Sequence, residues 1–287
     1  MKNNQQKPLN VTNLLKTNIL LILLSISILG VAQNTPAPKK DNIKIRGIAE
    51  LGFLGVLGNK VQFGEDGTYI NYVKEGGQDV LFPVSRLALE LKLKQRHIFT
   101  LLYQPLRLES TEVLERDLLI DGIMFPQGTN VDFLYNFPFY RITYLNELLN
   151  DNDKFDLAIG GGLQLRNATI NFEALDGSLF HSNRDIGPVP VLSIRTRYNL
   201  NKVTYTEFEA DGFYAPISYI NGSDNDVVGA ILDASIRQGV HITEEVNGYI
   251  NLRYLGGGAE GSGDDYVKNW LNFLTVTAGV TYEFPAF

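Results

Sequence analysis

Apolar and polar residues alternate along most of the chain from residue 43 onward, and this period of two predicts β-strands. Residues 85–93 give the clearest example, because leucines share one face of the predicted strand and charged residues share the other. The leucines are Leu87, Leu89, Leu91 and Leu93, and the charged residues are Arg86, Glu90 and Lys92. A single strand of this kind fits the wall of a soluble sandwich or the wall of a membrane barrel.

The alternation predicts ten strands, most of them longer than the strands of ordinary globular domains, which average about 5–6 residues. A tilted strand needs about 9–11 residues to cross a bilayer, so these lengths favour membrane crossing. The predicted strands are residues 43–54, 84–94, 98–113, 129–147, 154–174, 187–199, 203–215, 225–239, 246–257 and 269–284.

The predicted connections alternate in length. The short ones are residues 95–97, 149–153, 200–202 and 242–245, and the long ones are residues 55–83, 114–128, 175–186, 216–224 and 258–268. Short periplasmic turns and long external loops are typical of outer-membrane barrels. The sequence therefore predicts an all-β fold: an antiparallel, membrane-spanning, up-and-down β-barrel of about ten strands. Eight or twelve strands are the alternative counts, and a soluble sandwich is the alternative fold.

The same alternation assigns the charged residues to the barrel interior. A Lys or Arg facing lipid at the midplane costs roughly 2–4 kcal/mol, and a buried charge needs a partner. We therefore predict a lumen charge network. Its members are Arg46, Glu50, Arg86, Glu90, Arg141, Arg195, Arg197, Glu207, Glu209, Asp211, Asp233, Arg237 and Arg253.

Strand order suggests how these charges pair. Three acids, Glu207, Glu209 and Asp211, lie on a strand between two arginine-bearing strands, so we expect them to meet Arg195, Arg197 and Arg237. Barrels of about eight strands are filled by side chains, and open channels need nearer sixteen. A lumen plugged by salt bridges is thus the favoured interpretation, and a narrow conduit or ligand site is the alternative.

The N-terminal segment has the pattern of a cleaved export signal. Basic residues precede an apolar run of 13 residues, Ile19 to Val31, and Gly30-Val31-Ala32 supplies a small-x-small cleavage site. The apolar run is shorter than the ~20 residues of a spanning helix. We therefore divide the chain into a signal peptide at 1–32, a periplasmic tail at 33–42 and an outer-membrane barrel at 43–287.

Composition narrows the function classes. The chain has no cysteine, which excludes disulfides, Cys-ligated metals and a thiol nucleophile. Cleavage after Ala32 removes three lysines and no acid, and so changes the formal net charge from −7 to −10. This acidic balance argues against nucleic acid as a partner.

The last predicted strand ends in a recognisable pattern. Thr277, Gly279, Tyr282 and Phe284 fit polar-x-Gly-x-x-aromatic-x-aromatic, which resembles the C-terminal signature of bacterial outer-membrane proteins. The resemblance implies that Gly279, Tyr282 and Phe284 form an assembly signature for the barrel-assembly machinery. Three further residues, 285–287, follow the pattern, so it is not strictly terminal.

Several segments between about 84 and 284 resemble an uncharacterised family of small bacterial outer-membrane β-barrel proteins. They are Tyr140-Arg141-Ile142-Thr143-Tyr144, Gly187-Pro188-Val189-Pro190-Val191-Leu192, the pair Glu209 and Asp211, and Tyr254-Leu255-Gly256-Gly257-Gly258-Ala259. The resemblance implies the fold and the outer membrane of a Gram-negative-type bacterium, and it implies no activity.

Candidate chemistry is sparse. His181 and Ser182 are adjacent and would point to opposite faces of a strand, which does not suit a catalytic pair. We interpret His181 and Asp264-Asp265 as loop residues. Asp224 and Asp226 could offer oxygens to Ca²⁺, but the rest of a calcium loop is missing.

These patterns lead to one functional expectation. We expect no catalytic, cofactor or metal site, and a structural or surface-interaction role for a plugged barrel, with outer-membrane lipid as its surroundings. A narrow channel for small polar solutes, or an enzyme acting on lipid or peptide, is the alternative. The sequence names no ligand.

Overall fold

A computed structural model describes residues 43–149, 152, 154–216, 228–261 and 266–285. The predicted signal peptide and tail lie outside the described residues, as do Asp224, Asp226, Asp264 and Asp265.

The described chain is almost entirely β-structure. The strands are β1 (Ile43–Phe63), β2 (Ile70–Asn71), β3 (Leu81–Leu93), β4 (His97–Gln104), β5 (Arg107–Val113), β6 (Leu118–Ile120), β7 (Ile123–Phe125), β8 (Asn130–Asn136), β9 (Phe139–Glu147), β10 (Phe155–Ala174), β11 (Phe180–Asn199), β12 (Thr204–Pro216), β13 (Val228–His241), β14 (Val246–Glu260) and β15 (Val267–Glu283). One short helix, α1 (Tyr72–Glu75), follows β2. No helix among the described residues is long and apolar enough to cross a membrane.

Ten strands close into a ring in which every neighbour is antiparallel. Its order is β1, β3, β4, β9, β10, β11, β12, β13, β14 and β15, and β15 pairs again with β1. The predicted all-β antiparallel barrel of ten strands is therefore confirmed. The base of the barrel is the end that holds Ile43 and Glu283.

Two of the predicted strands are each divided by a proline. The strand predicted at 98–113 becomes β4 and β5, and the strand predicted at 129–147 becomes β8 and β9. The register places Pro105 opposite Pro138. Proline cannot donate a hydrogen bond to a strand ladder, so both paired strands are interrupted at the same height. Beyond the two prolines, β5 pairs with β8, and the described residues of β3 form no ladder with β5.

The strands run further from the base than predicted, because parts of the predicted long loops are strands. The register of β1 shifts between Val56 and Gly58, and the strand then continues to Phe63. This bulge moves the inward face by one position: Leu54 and Val56 are buried before it, and Val61 and Phe63 after it. β11 begins at Phe180, so His181 lies buried in a strand and not in a loop.

The strand extensions form a distinct end of the barrel, which we call the crown (residues 59–80, 107–136 and 167–187). Its interior is an apolar core in which the largest fully buried side chains are aromatic: Tyr72, Phe125, Phe133, Tyr135 and Phe172. Tyr72 comes from α1 and packs edge-on against Phe133, with 5.5 Å between ring centres. The core lies beyond the lumen charges, on the side away from the base.

Candidate functional site

Between the base and the crown, the barrel interior is lined by charged side chains. The backbone of each strand turns alternate residues inward, so Arg86 and Glu90 on β3 are buried while Leu87 and Leu89 are exposed outside. All thirteen residues of the predicted lumen charge network lie in this interior and take part in its ion pairs. The set holds seven arginines and six carboxylates, so its charges nearly balance.

The layer nearest the base contains two carboxylates that each bind two arginines. Glu90 Oε2 lies 2.9 Å from Arg46 Nη2 and 2.5 Å from Arg195 Nη1. Glu207 accepts hydrogen bonds from Arg197 Nε at 2.9 Å and from Arg237 Nη1 at 2.5 Å. The Arg195–Glu90 pair joins β11 to β3 across the lumen.

Glu50 is the centre of the middle layer. It accepts from Arg86 Nη1 at 3.1 Å and from the Tyr249 hydroxyl at 2.9 Å. The side chains of Asn251 and Thr277 donate to its other oxygen, each at 3.1 Å. Arg86 also reaches Glu209 at 3.4 Å. A carboxylate with this many donors is fully satisfied, and such networks hold their geometry firmly.

The layer nearest the crown is organised around Arg141. Its guanidinium binds Asp211, lies 2.9 Å from Asp233 and donates to Gln164 Oε1. Asp233 in turn accepts from Arg253 at 2.5 and 2.6 Å. Arg253 also donates to Gln104.

The observed partners differ in part from the expected ones. Glu207 and Glu209 bind arginines of the adjacent strands, as the strand order suggested. Asp211, however, binds Arg141 on the opposite wall, and Arg195 binds Glu90 there. Crossing contacts form because the barrel is narrow enough for one arginine to span its interior.

The predicted network contained charged residues only, and Gln104 and Gln164 are among the neutral members that it missed. Gln104 and Gln164 are both fully buried and both accept from arginine. The available signal was their position, because each glutamine lies on the inward face of a strand whose outward face is apolar or aromatic. Charge alone did not reveal them.

The network is sealed from the crown by apolar side chains. Phe139 is fully buried, and the guanidinium carbons of Arg141 and Arg253 lie 5.8 and 5.9 Å from its ring centre. Leu54, Phe82 and Phe273 belong to the same buried apolar cluster, which continues into the crown core. An ionic layer and an apolar layer therefore follow one another along the barrel axis.

Toward the base the interior opens into a polar cavity of about 350 Å³. Basic and acidic side chains line it in equal number: Lys44, Arg46, Lys92, Arg195 and Arg197 with Glu90, Glu147, Asp156, Glu207 and Glu283. Lys92 Nζ lies 2.5 Å from Glu147, and Lys44 Nζ lies 2.7 Å from Glu283. The cavity is thus a polar vestibule to the network, and its charged side chains balance in number.

The predicted assembly signature lies at the base end of β15. Gly279 faces inward beneath the ring of Tyr249, and a Cβ at this glycine would be 2.3 Å from Tyr249 Cζ. Tyr282 faces outward and packs edge-on against Phe284, at 5.0 Å between ring centres. Gly279 therefore has a packing role, which the signature pattern did not predict.

Within the described ranges, no group of three or more His, Cys, Asp or Glu side chains could hold a metal ion. His181 packs between the rings of Phe63 and Phe172, at 5.4 and 6.3 Å, and faces the apolar core of the crown.

Comparisons with known proteins identify no family. No protein-family model matches the chain, and no curated protein matches it. Among solved structures it is similar to the outer membrane protease OmpT from Escherichia coli, with 14% identity, a TM-score of 0.49, and coverage of 89% of this chain and 99% of that one.

Two other solved structures are similar over most of their length. One is the translocator domain of the autotransporter NalP from Neisseria meningitidis, with 12% identity, a TM-score of 0.39, and coverage of 95% and 98%. The other is Ail, the attachment invasion locus protein of Yersinia pestis, with 13% identity, a TM-score of 0.32, and coverage of 84% and 99%. The barrel assignment itself rests on the closed strand register of this chain.

Proposed function

We propose that this chain is an integral outer-membrane β-barrel that is sealed along its axis and acts through its crown. The observation that carries the proposal is the double closure of the interior, first by the lumen charge network and then by the apolar layer around Phe139. A barrel closed in this way offers no route for solutes, so we assign its function to the exposed surface of the crown.

The distribution of apolar residues supports placement in a membrane. The outward residues of the ring are large, apolar and exposed, and include Leu89, Leu101, Ile142, Leu163 and Val276, while the interior is charged. Soluble monomers rarely expose apolar patches larger than a few hundred Å². In a bilayer this band would face outer-membrane lipid, one of the expected partners.

Aromatic pairs near both ends of the apolar band support the same placement. Tyr103 and Tyr140 stack at 5.0 Å on the crown side, and Phe99 packs on Tyr144 at 5.1 Å on the base side. Girdles of aromatic residues at both interfaces are typical of transmembrane barrels. The girdles do not define the orientation, but short turns join β3 to β4, β11 to β12 and β13 to β14 at the base. Short turns are typical of the periplasmic end, so we place the base in the periplasm and the crown outside the cell.

Expression followed by membrane fractionation tests the placement. We expect the mature protein in the outer-membrane fraction with Gln33 as its first residue, folded only in detergent or lipid. Recovery from the periplasm as a soluble monomer that refolds in plain buffer would contradict the proposal.

Liposome swelling with small sugars and amino acids tests the closure. We expect proteoliposomes carrying the protein to swell no faster than empty liposomes, with an open porin as the positive control. Swelling at a porin-like rate would favour the narrow-channel alternative.

A further inference from the structure

Among the residues that the structure describes, the crown contains a strand edge that no other strand covers. β5 is the last strand of its sheet there and pairs with β8 alone. The ladder between β3 and β4 ends at Leu87 and Tyr103, and Pro105 follows on the side facing β3. Because proline lacks an N–H, it cannot continue that ladder, and β5 separates from β3 above it.

The phase of the hydrogen bonds identifies which backbone groups are free. Phe137 N–H donates to Leu106 O at 2.7 Å, and Leu114 N–H donates to Thr129 O at 2.9 Å. In an antiparallel pair both polar groups of a residue point to one side, and the side alternates along the strand. The even-numbered residues of β5 therefore bond to β8.

The odd-numbered residues present their N–H and C=O groups to the free edge. They are Arg107, Glu109, Thr111 and Val113, and all four are exposed. The segment after α1 contacts the inward face of β5 and not its free edge. There the Ser110 hydroxyl donates to Gly76 O. Leu81 and Pro83 of β3, which face the same gap, are exposed as well. The edge is thus open to an approaching chain.

In the described part of the chain, a second open edge, that of β11, is interrupted by prolines. β11 pairs with β12 only from Leu192 onward, and Asn199 N–H donates to Lys154 O, so its even-numbered residues face the open side. Two of these, Pro188 and Pro190, carry no N–H. Proline is one means by which proteins prevent unwanted edge pairing. The corresponding positions of β5 contain no proline.

Charge indicates what kind of chain fits the open edge. The crown carries thirteen carboxylates and five basic side chains. On β5 itself, Arg107 is engaged by Glu109, whereas no ion pair within the described residues involves Glu112. Asp132 lies opposite Thr111 on β8 and is exposed. A basic strand would therefore be attracted to this edge, and an acidic strand repelled.

A second copy in the same membrane does not fit. A twofold axis along the membrane normal would place identical residues of the two β5 strands at the same height, with like groups facing each other. Parallel ladders instead need residues offset between the strands.

We propose that the free edge of β5 is the docking site for an extended cationic peptide segment of another protein, which adds to the crown as a further strand. Main-chain hydrogen bonds to Arg107, Glu109, Thr111 and Val113 would supply affinity, and the acidic surroundings would select basic side chains. The inference rests on the proposed location of the crown outside the membrane.

Titration of the detergent-solubilised full-length mature protein with short peptides tests this site. The probe is an acetylated, amidated heptapeptide of alternating Thr and Lys, and the two matched controls are the same peptide with Glu for Lys and with alternate amides N-methylated. We expect saturable binding of the Lys peptide and a loss of about tenfold or more on N-methylation, because one or two hydrogen bonds disappear. Equal binding of the N-methylated peptide, or no binding of the Lys peptide, would overturn the proposal.

Proline substitutions locate the binding edge. Thr111→Pro removes a free N–H without touching the ladder to β8, whereas Ser182→Pro changes the edge of β11 that prolines already interrupt. We expect Thr111→Pro alone to weaken binding about tenfold or more, for the same loss of hydrogen bonds. Equal weakening by both variants would overturn the assignment to β5. Liposome swelling by the same variants is read separately, so a failure of the sealed-barrel proposal is not confused with a failure of this one.

Discussion

Arg141 on β9 crosses the barrel interior to Asp233 on β13, with Arg141 Nη2 2.9 Å from Asp233 Oδ2. The same guanidinium binds Asp211 on β12, so one side chain links three strands and neutralises two buried carboxylates. The contact holds opposite walls together at the height where the ionic layer meets Phe139.

Arg141→Gln should therefore destabilise the folded barrel strongly. Removing one partner of a buried pair costs about 3–5 kcal/mol, because the remaining charge stays buried without compensation. Urea unfolding in lipid vesicles would measure the change. Arg184→Gln, at an exposed crown position, is the control and should change stability by less than about 0.5 kcal/mol. Equal stability of the two variants would mean that water already solvates the two aspartates.

The outer face provides a second prediction. Leu89→Arg should impair insertion, because arginine in the lipid-facing band costs roughly 2–4 kcal/mol. Leu200→Arg makes the same exchange in an exposed turn at the base and should be tolerated. The measurement is the heat-modifiable folded fraction recovered with vesicles. Similar yields for both variants would contradict a lipid-facing Leu89.

Substitutions at Gly279 and Phe284 test two different roles within the C-terminal signature, packing of the barrel interior and assembly in the cell. Gly279→Ala should destabilise the refolded barrel, since its Cβ would overlap the ring of Tyr249. Combining it with Tyr249→Ala should cost less than the sum of the two single changes, because the overlap disappears. Phe284→Ala should instead reduce assembly in cells with little effect on the stability of refolded protein. Strict additivity of the Gly279 and Tyr249 changes would contradict the packing role.

The attachment of α1 to the crown should depend on pH. Burial tends to raise the pKa of Glu75, but hydrogen bonds from Arg116 and the Asn71 N–H outweigh this effect and lower the pKa below its usual 4.5. A lowered pKa in the folded state means stability that is present above the unfolded value and lost as the pH falls through the folded one. The protection factors of the α1 amides, which compare observed with intrinsic exchange rates, should therefore fall below about pH 4.5.

Glu75→Gln supplies the control for this pH effect. The variant keeps the shape of the side chain but loses the titrating charge, so its α1 protection factors should be lower at neutral pH and nearly independent of pH. Persistence of the wild-type pH profile in the variant would assign the effect to another group.

The sequence alone predicted the ring of ten strands and which residues face its interior, because both depend on the local alternation of apolar and polar residues. Glu50, Arg86 and Glu90 could be placed inside from their own strands alone. The partners could not, since Arg141 and Asp233 are 92 residues apart and meet only when the barrel closes. Pairing across a lumen depends on barrel width and strand tilt, which local patterns do not encode.

The crown was largely missed for a related reason. The bulge after Val56 reverses which residues face inward, so a period-two reading from Ile43 ends there. The β6–β7 hairpin carries a detectable signal in Asp121-Gly122, and both residues have positive φ, at 47° and 77°. Asp-Gly between short apolar runs is a strong hairpin signal.

Single-channel recording in planar bilayers tests the sealed interior most directly. With the mature wild-type protein inserted, as verified by its heat-modifiable form, we expect no stable conductance steps above the bare membrane at either polarity. Discrete, ohmic steps whose size changes in Glu209→Gln would show a continuous aqueous path through the charge network and would contradict the sealed-barrel account.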